Sequence, residues 1–440
     1  MVESFGTVEN GSKYRLVKCE PHVRSRFKRV FPRAPQEAGD AIKLSMTPEN
    51  SRELEWFLQR YPMAMDERAA RVLKRRANEH REQERKVKAL MSGHTAPPSV
   101  TLAEPARAYQ VEADALMEIK GGLLVGDDVG LGKTVTAICG MSRVANLPAL
   151  VVCPTNLPEQ WKAAINRFLP ALRVHVIKGG PVYDPGNVDV LIINYHKLHK
   201  WSDQLAGRIR YVVFDEGQEL RHRGSDKYAA AEHVAEKAKR REILTATPIY
   251  NYGVEFWNVC NIAQPGCLGE LHEFVREWCT GHGGDKSAIK DTAMFGAYLR
   301  REGIMIRRTR KDVGRELPEL TQSIVQVETD TRVLDRLTGD AIELARVVVR
   351  RNERFMGEKM QAAGKFESIM RQATGIAKAP FVAEFVRLLL DSEERVILFG
   401  WHREVYNIWL ERLKEFAPVL YTGTESPKQK RESVEAFLTG

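Results

Sequence analysis

The residue types best suited to chemistry lie in the stretch GGLLVGDDVGLGKTVTAICG, residues 121 to 140. An apolar run at its start predicts a buried strand, and the pattern after Thr134 predicts a helix. Between them, Gly130 and Gly132 let backbone N–H groups curl around phosphate oxygens, and the N-terminus of the helix adds its own N–H groups. Lys133 is expected to reach the β- and γ-phosphates of a nucleotide, and the Thr134 hydroxyl is expected to bind Mg²⁺.

A second group of candidate residues follows another predicted strand, in VVFDEGQ, residues 212 to 218. Asp215 is suited to binding Mg²⁺, directly or through water, and Glu216 to orienting or deprotonating an attacking water. Ligands bind at the carboxyl ends of the strands in parallel sheets, so these acids are expected to lie beside the glycine turn. In LTATP, the hydroxyls of Thr245 and Thr247 are expected to bond to the acidic loop and to relay the state of the nucleotide.

The glycine turn departs from the strict G-x-x-x-x-G-K-T pattern, because Asp127 occupies the position of the first glycine. A glycine turn that binds no phosphate is the simpler alternative, and the strand-end acids argue against it. Upstream, Gln110 has an amide that can bond to two edges of adenine, and Tyr109 or Arg107 can stack on the base.

Composition limits the classes of protein that the chain can belong to. Its 440 residues, 43% hydrophobic and 28% charged, indicate a soluble globular protein of two or three domains. No apolar run approaches the ~20 residues of a transmembrane helix, and the start has no signal-peptide pattern. Six scattered cysteines without a CxxC pair favour a reduced, intracellular protein over a zinc or disulfide framework. A net charge of +9 is compatible with nucleic-acid binding.

The order of the predicted elements indicates an α/β fold. Short apolar strands alternate with helices after residue 100, which predicts a parallel sheet covered on both faces. Before it, residues 13 to 62 read as a small α/β module with a basic helix, and residues 64 to 91 as one long charged helix. The basic side chains of this module either contact nucleic-acid phosphates or form a solvated face, and the sequence leaves both open.

Many further segments occur in a familiar order: ARAYQ, GDDVGLGKT, VVCPTNLPEQW, IINYHKL, VVFDEGQELRHRGSDKY and LTATPIYNYGVEFWNVCNIAQPGCLG. This series resembles the helicase-like ATPases of superfamily two and, within them, the Swi/Snf branch, closest in look to annealing-helicase and phage-encoded members. IMIRRTRKDVGRELPEL resembles the bridge between the two lobes of that branch. RVILFGWHREVYNIWLERL and PVLYTGTESPKQKRESVEAF resemble the first motifs of its second lobe.

The resemblance implies tandem RecA-like lobes with parallel sheets, of which the second is incomplete, with ATP and Mg²⁺ in the cleft between them. The resemblance covers about residues 105 to 440, and the N-terminal hundred residues lie outside it. With the pattern of those residues, the expected domains are a small N-terminal α/β accessory module (1–65), a basic helix and linker (66–100), a first RecA-like ATPase lobe (101–310), a helical bridge (311–390) and the start of a second lobe (391–440).

The resemblance also implies roles for individual residues, matched motif by motif. The catalytic residues are Glu216, Lys133 and Gln218; the ATP-binding residues are Arg107, Gln110, Asp128, Gly130, Gly132, Lys133 and Thr134; the Mg²⁺ ligands are Thr134 and Asp215; the nucleic-acid contacts are Thr155, Asn194, Tyr195 and Gly423; and the coupling residues are Thr245 and Thr247. Trp161 matches a family position but is assigned to the core. Asp128 replaces the usual Glu, and Gly217-Gln218 replaces Ala-His.

The expected function is a DNA-dependent ATPase motor, a translocase or helicase on double-stranded or branched DNA. The sequence ends at Gly440, before the family's later glycine-rich loop and arginine finger, and such a finger can be worth ~10³–10⁵ in rate. The alternative is therefore a nucleotide-dependent DNA-binding or regulatory module with little motor activity. A phosphate-loop kinase would not explain the second set of motifs, and RNA stays open as a substrate.

The same reading gives expectations for partners and location. Other replication, repair or recombination proteins are candidate partners, with no membrane association and a monomeric chain. The expected location is intracellular, in the cytoplasm or nucleoid of a bacterial or phage-infected cell.

Overall fold

The computed structural model of the chain describes residues 4–12, 14–31, 34, 41–248, 251–280, 286–314, 322–329, 356–392 and 395–439. These residues fall into two units, Met1–Leu317 and Pro318–Gly440. Both sheets that the structure describes lie in the first unit, and two of the helices described for the second unit share a small apolar cluster.

The N-terminal residues form a small module with its own core. Its elements are β1 (Gly6–Asn10), β2 (Tyr14–Cys19), α1 (Pro21–Val30), β3 (Ile42–Ser45) and α2 (Pro48–Arg60), followed by α3 (Glu67–Met91). The strands make an antiparallel sheet in the order β1-β2-β3. The Thr47 hydroxyl accepts from Asn50 N at 3.1 Å and so caps α2. β1 was not predicted, because its run of Gly, Asn and Glu carries little apolar signal.

Helix α3 belongs to two cores. Leu73, in its first half, packs in the core of the N-terminal module, whereas Val87 and Leu90 belong to a core of the larger sheet described next. The Gln83 amide also donates to Ile119 O at 3.0 Å. The predicted basic helix is therefore an integral part of the first unit, and the division of this unit at residues 65 and 100 stays a prediction.

The larger sheet has seven strands, and every neighbouring pair is parallel. Its strands are β4 (Gly122–Val125), β5 (Ala149–Cys153), β6 (Val174–Val176), β7 (Val190–Asn194), β8 (Tyr211–Asp215), β9 (Arg240–Leu244) and β10 (Met305–Ile306). Their order is β10-β4-β9-β8-β5-β7-β6. The inner strands are almost continuous apolar runs because helices cover both faces, which confirms the predicted α/β architecture.

Helices lie on both faces of this sheet. They are α4 (Ala108–Lys120), α5 (Lys133–Met141), α6 (Pro158–Phe168), α7 (Tyr195–Leu205), α8 (Asp226–Lys237), α9 (Gly253–Ala263), α10 (Leu271–Trp278) and α11 (Thr292–Arg301). One core contains apolar residues of α7 to α11, and the other contains residues of α3 to α6. Within the described part of the chain, no helix is both long enough and apolar enough to cross a membrane.

The second unit contains α12 (Met356–Leu390), α13 (Arg403–Arg412) and α14 (Pro427–Thr439). Trp409 packs among alanines of α12 and donates its indole N–H to Ala379 O at 3.2 Å. Residues 395–400, in the expected start of the second lobe, are not part of a ladder, and the described residues of this unit contain no strand. An extended segment becomes a strand only when a neighbour takes its hydrogen bonds. Of the predicted bridge, residues 315–321 and 330–355 lie outside the described residues.

Candidate active site

The glycine turn connects β4 to α5 at the carboxyl edge of the sheet. Gly130 and Gly132 have φ values of +84° and +75°, which favour glycine because a Cβ is strained there. A Cβ at Gly132 would also lie 2.7 Å from Nε2 of Gln110. We call residues 126–132, which contain this turn, the phosphate loop. Since α5 begins at Lys133, the N–H groups of its first turn lie at the end of the phosphate loop.

Lys133 lies between the phosphate loop and the strand-end acids. Its Nζ donates to Asp127 O at 2.8 Å and to Asp128 O at 3.4 Å. Burial lowers the pKa of Lys133, and the surrounding carboxylates, with Glu216 the strongest, act in the opposite direction together with Asp215. The structure thus brings the two predicted halves of the site together, and the lysine charge is balanced by acids on both sides.

Three groups hold Asp215 in place at the end of β8. Trp161 donates its indole N–H to Asp215 Oδ2 at 2.8 Å, and Glu216 N donates to Oδ1 at 3.0 Å. The Tyr195 hydroxyl donates to the Asp215 carbonyl at 2.8 Å. Burial raises the pKa of the Asp215 carboxyl, while the Trp161 hydrogen bond lowers it. The carboxylate is therefore oriented by fixed donors, as a metal ligand needs to be.

A chain of hydrogen bonds runs from Glu216 to the end of β9. Gln218 donates to Glu216 Oε2 at 2.8 Å, and Thr245 donates to Gln218 Oε1 at 2.7 Å. The backbone N–H of Thr247 then donates to the Thr245 hydroxyl at 3.1 Å. The structure therefore contains the contact between Thr245 and the acidic loop that the sequence predicts. Glu216 itself has φ 50° and ψ 56°, a left-handed conformation that is unusual for a residue with a side chain.

The Gly217 departure from the family pattern has a steric cause. A Cβ added at Gly217 would lie 2.1 Å from Cγ2 of Ile243, on the neighbouring strand β9. Alanine therefore does not fit at this position without a movement of the strand or of the acidic loop. Glycine at 217 and isoleucine at 243 form a matched pair.

Gln110 supports the phosphate loop. Its Nε2 donates to Leu131 O at 3.1 Å and to Gly132 O at 3.2 Å, and its Oε1 accepts from Arg107 N at 2.9 Å. Both ends of the amide are thus used within the chain, and a contact between Gln110 and adenine stays a prediction. The Arg107 side chain is exposed and bonds to the Tyr109 hydroxyl at 3.3 Å. A contact between Arg107 and the base stays a prediction.

The predicted nucleic-acid contacts differ in exposure. Thr155, in the turn after β5, and Gly423, in a turn of the second unit, are both exposed. Asn194 is 8% exposed and caps α7 by accepting from Lys197 N at 3.1 Å. Tyr195 is 2% exposed, and its hydroxyl donates inward to the Asp215 carbonyl. For all four residues the nucleic-acid role stays a prediction.

The sequence did not reveal two supporting residues. Trp161 was assigned to the core, and it is buried, but its N–H also reaches Asp215. Arg308 was part of a bridge motif with no assigned role, yet it forms a buried ion pair with Asp127 in the phosphate loop. Asp127 could have indicated such a partner in the sequence. It replaces the first glycine of the G-x-x-x-x-G-K-T pattern, and a buried carboxylate requires a partner.

A glycine loop with a lysine, opposed by strand-end acids on a parallel sheet, defines a phosphate-loop protein. The model of the SNF2-related domain matches residues 50–351, and the chain belongs to this family. It is similar to an uncharacterized ATP-dependent helicase of Mycoplasma pneumoniae (24% identical, over 75% of this chain and 34% of that protein). It is also similar to the SWI/SNF-related matrix-associated actin-dependent regulator of chromatin subfamily A-like protein 1 of Xenopus laevis (28% identical, over 72% and 33%).

Among solved structures, the Sulfolobus solfataricus SWI2/SNF2 ATPase core in complex with dsDNA is similar at 20% identity and a TM-score of 0.45. That comparison covers 79% of this chain and 78% of that chain. The chain spans about a third of the length of the Mycoplasma pneumoniae and Xenopus laevis relatives.

Proposed function

We propose that the chain is a DNA-dependent ATPase that hydrolyses ATP with Mg²⁺ and moves along double-stranded or branched DNA. The observation that carries this proposal is the hydrogen-bond chain from Glu216 through Gln218 to Thr245, beside the phosphate loop. These hydrogen bonds link Glu216, which we place beside the reacting phosphate, to the loop after β9. A motor requires such a link between its ATP site and a second loop. Membership of the SNF2-related family supports the same reaction.

The residues present fit a nucleotide and its metal ion. Gly130 and Gly132 leave the space that phosphate oxygens need, and Lys133 supplies a positive charge beside them. Thr134, at the start of α5, and Asp215 provide the hard oxygen donors that Mg²⁺ prefers. When bound, Mg²⁺ neutralises charge that develops on the phosphate oxygens.

Glu216 is the residue that we assign to the attacking water. Its carboxylate accepts from Gln218, which holds one oxygen and leaves the other to orient the water and to take a proton from it. Because Gln218 also accepts from Thr245, any displacement of the β9 loop moves the Glu216 carboxylate. This is how we propose that binding of DNA changes the rate of hydrolysis.

Nucleic acid is the proposed partner for reasons of charge and position. The chain carries a net charge of +9, and Thr155 is exposed after β5, at the same edge of the sheet as the ATP site. The Mycoplasma relative is named a helicase. Contacts to the phosphate backbone would make binding salt-dependent and largely independent of sequence. Replication, repair or recombination proteins, and a monomeric state, are proposed with it.

The test is ATP hydrolysis with Mg²⁺, alone and with duplex, forked or single-stranded DNA. We expect duplex or forked DNA to raise the rate of the unaltered chain, and Glu216→Gln to abolish hydrolysis while nucleotide binding persists. Glu236→Gln is the matched control, because Glu236 is exposed on α8, outside the site. Hydrolysis that DNA does not change would favour the nucleotide-dependent regulatory module, and a chain that binds no nucleotide would refute both.

A further inference from the structure

We propose that residues 306–310, which begin at the last residue of β10, are a clamp that holds the phosphate loop in its nucleotide-binding conformation, with Arg308 and Arg310 as positioning residues. We call residues 306–310 the clamp segment. The inference deepens the proposed function, on which its nucleotide measurement rests. The positioning itself is a property of the chain and is measured without any nucleotide.

The clamp segment continues the sheet beyond its last strand pair. β10 pairs with β4 through Met305 and Ile306. Past the strands, Gly126 N donates to Ile306 O at 2.7 Å, and Asp128 N donates to Arg308 O at 3.0 Å. The first half of the phosphate loop is therefore held to the clamp segment by backbone hydrogen bonds.

A buried ion pair strengthens this edge. Arg308 Nε and Nη2 donate to the two carboxylate oxygens of Asp127 at 3.1 and 2.8 Å, and Arg308 N also donates to Asp127 Oδ1 at 3.0 Å. The two residues are 5% and 1% exposed. Arg308 Nη1 donates to Tyr109 O, and the guanidinium lies over the Tyr109 ring at 5.0 Å from its centroid. The two guanidinium bonds to Asp127 use the planar fork of arginine, which lysine cannot reproduce.

The second half of the phosphate loop is held through its carbonyl groups. Arg310 Nε donates to Val129 O at 2.9 Å, and the Tyr109 hydroxyl donates to Leu131 O at 2.8 Å. Arg310 Nη2 also lies 3.4 Å from the position that a Cβ of Gly130 would take. The clamp segment thus contacts the phosphate loop from Gly126 to Gly130, and Tyr109 holds Leu131 beside it.

These carbonyl contacts determine where the loop amides point. In a trans peptide the C=O and the following N–H point in opposite directions. Holding Val129 O and Leu131 O on the side of Arg310 and Tyr109 therefore directs the N–H groups of Gly130 and Gly132 to the other side. Amide N–H groups that converge on one side form an anion site, which is what the phosphates of a nucleotide require.

The first measurement is hydrogen–deuterium exchange of the nucleotide-free chain. Arg308→Lys keeps the charge and removes the fork, and we expect amides of residues 126–132 to exchange about tenfold faster, while β7 stays protected. Arg307→Lys is the matched control, because the Arg307 side chain is exposed. Equal exchange of the phosphate loop in the two variants would overturn the positioning role of Arg308.

The second measurement is the affinity for a fluorescent ADP with Mg²⁺. A loop that is competent for only part of the time binds proportionally more weakly, so we expect about tenfold lower affinity for Arg308→Lys and for Arg310→Gln. Arg310 is only half-buried, so we expect Arg310→Gln to keep the thermal midpoint of the unaltered chain. Unchanged affinity in Arg310→Gln would overturn its part in the clamp.

The two measurements separate the clamp from the proposed function. If the unaltered chain binds no nucleotide but Arg308→Lys still loosens the phosphate loop, the proposed function fails and the clamp stands. If nucleotide binds and both variants match the unaltered chain in exchange and affinity, the clamp fails and the proposed function stands.

Discussion

Trp161 donates its indole N–H to Asp215 Oδ2 at 2.8 Å, joining helix α6 to the acid at the end of β8. The indole is 2% exposed, and Asp215 is half-buried. The contact fixes the rotamer of the carboxylate and counters the effect of burial on its pKa. A residue assigned to the core on its apolar ring thus orients the proposed Mg²⁺ ligand through its one polar atom.

Trp161→Phe removes this donor and keeps an aromatic ring. The Trp161 bond lowers the pKa of Asp215 against the raising effect of burial, so its loss raises that pKa further. We expect the acid limb of the pH profile of kcat/KM to move to higher pH, and Mg²⁺ to bind about 10- to 100-fold more weakly. Trp201→Phe, on the opposite face of the sheet, should cost stability without shifting the profile. An unshifted profile in Trp161→Phe would contradict the assignment.

Thr245→Val replaces the hydroxyl that donates to Gln218 with a methyl group of similar shape. Gln218 Oε1 then loses its partner, and Glu216 loses its indirect support. We expect kcat to fall about tenfold, with the affinity for nucleotide unchanged. Steady-state hydrolysis and nucleotide titration measure the two quantities. Thr247→Val should have a smaller effect, because only the backbone N–H of Thr247 joins the chain; equal effects would contradict the proposed path.

Gly217→Ala places a methyl group 2.1 Å from Ile243 Cγ2. The strand or the acidic loop has to move, and we expect the free energy of unfolding to fall by about 1–3 kcal/mol. Ile243→Ala alone leaves a cavity and also destabilises the chain. The double variant should be more stable than the sum of the two single changes predicts, because the alanine methyl then has space. Chemical denaturation of the four proteins gives the coupling, and strict additivity would show that the two positions are independent.

Glu242→Gln tests a buried carboxyl on β9. Burial raises the pKa of Glu242 from 4.5 to about 8, and its carboxyl accepts from the Tyr211 hydroxyl. The folded chain thus holds a proton that the unfolded chain releases above its ordinary pKa. The unaltered chain should therefore lose stability as pH rises from about 4.5 to about 8 and change no further above it.

Glu242→Gln lacks this titrating group. Its free energy of unfolding should therefore rise relative to that of the unaltered chain as the pH increases from about 4.5 to about 8. Urea unfolding at pH 5, 6.5 and 8.5 measures the difference. Glu236→Gln, at an exposed position, should follow the unaltered chain. A constant gap between Glu242→Gln and the unaltered chain would show that Glu242 does not carry this proton.

The sequence predicted the elements of the fold that depend on residues close together in the chain. The inner strands were predicted because each is a short apolar run. The positions of Lys133 and Asp215 followed from the rule that parallel strands end at one edge. By contrast, the sheet expected in the second lobe is absent from the described residues of that unit, because strand pairing depends on a neighbour that no local pattern supplies.

The contacts that the sequence missed join residues far apart in the chain. Arg308 meets Asp127 only because β10 lies beside β4, although the two strands are far apart in the chain. Gln110 bonds to the phosphate loop and Tyr195 to Asp215, and neither the chemistry of the Gln110 amide nor the family match of Tyr195 indicates these partners. Residue type indicates what a side chain can do, and only the tertiary structure shows which partner it has.

Helix α3 has a mechanical consequence. Its 25 residues span about 37 Å at ~1.5 Å per residue, and its two ends are packed in different cores. If the helix tilts by about 5° about its end near Leu90, its other end moves by roughly 3 Å. Small rotations within the nucleotide-binding lobe would thereby become displacements of the N-terminal module that are large enough to make or break a contact.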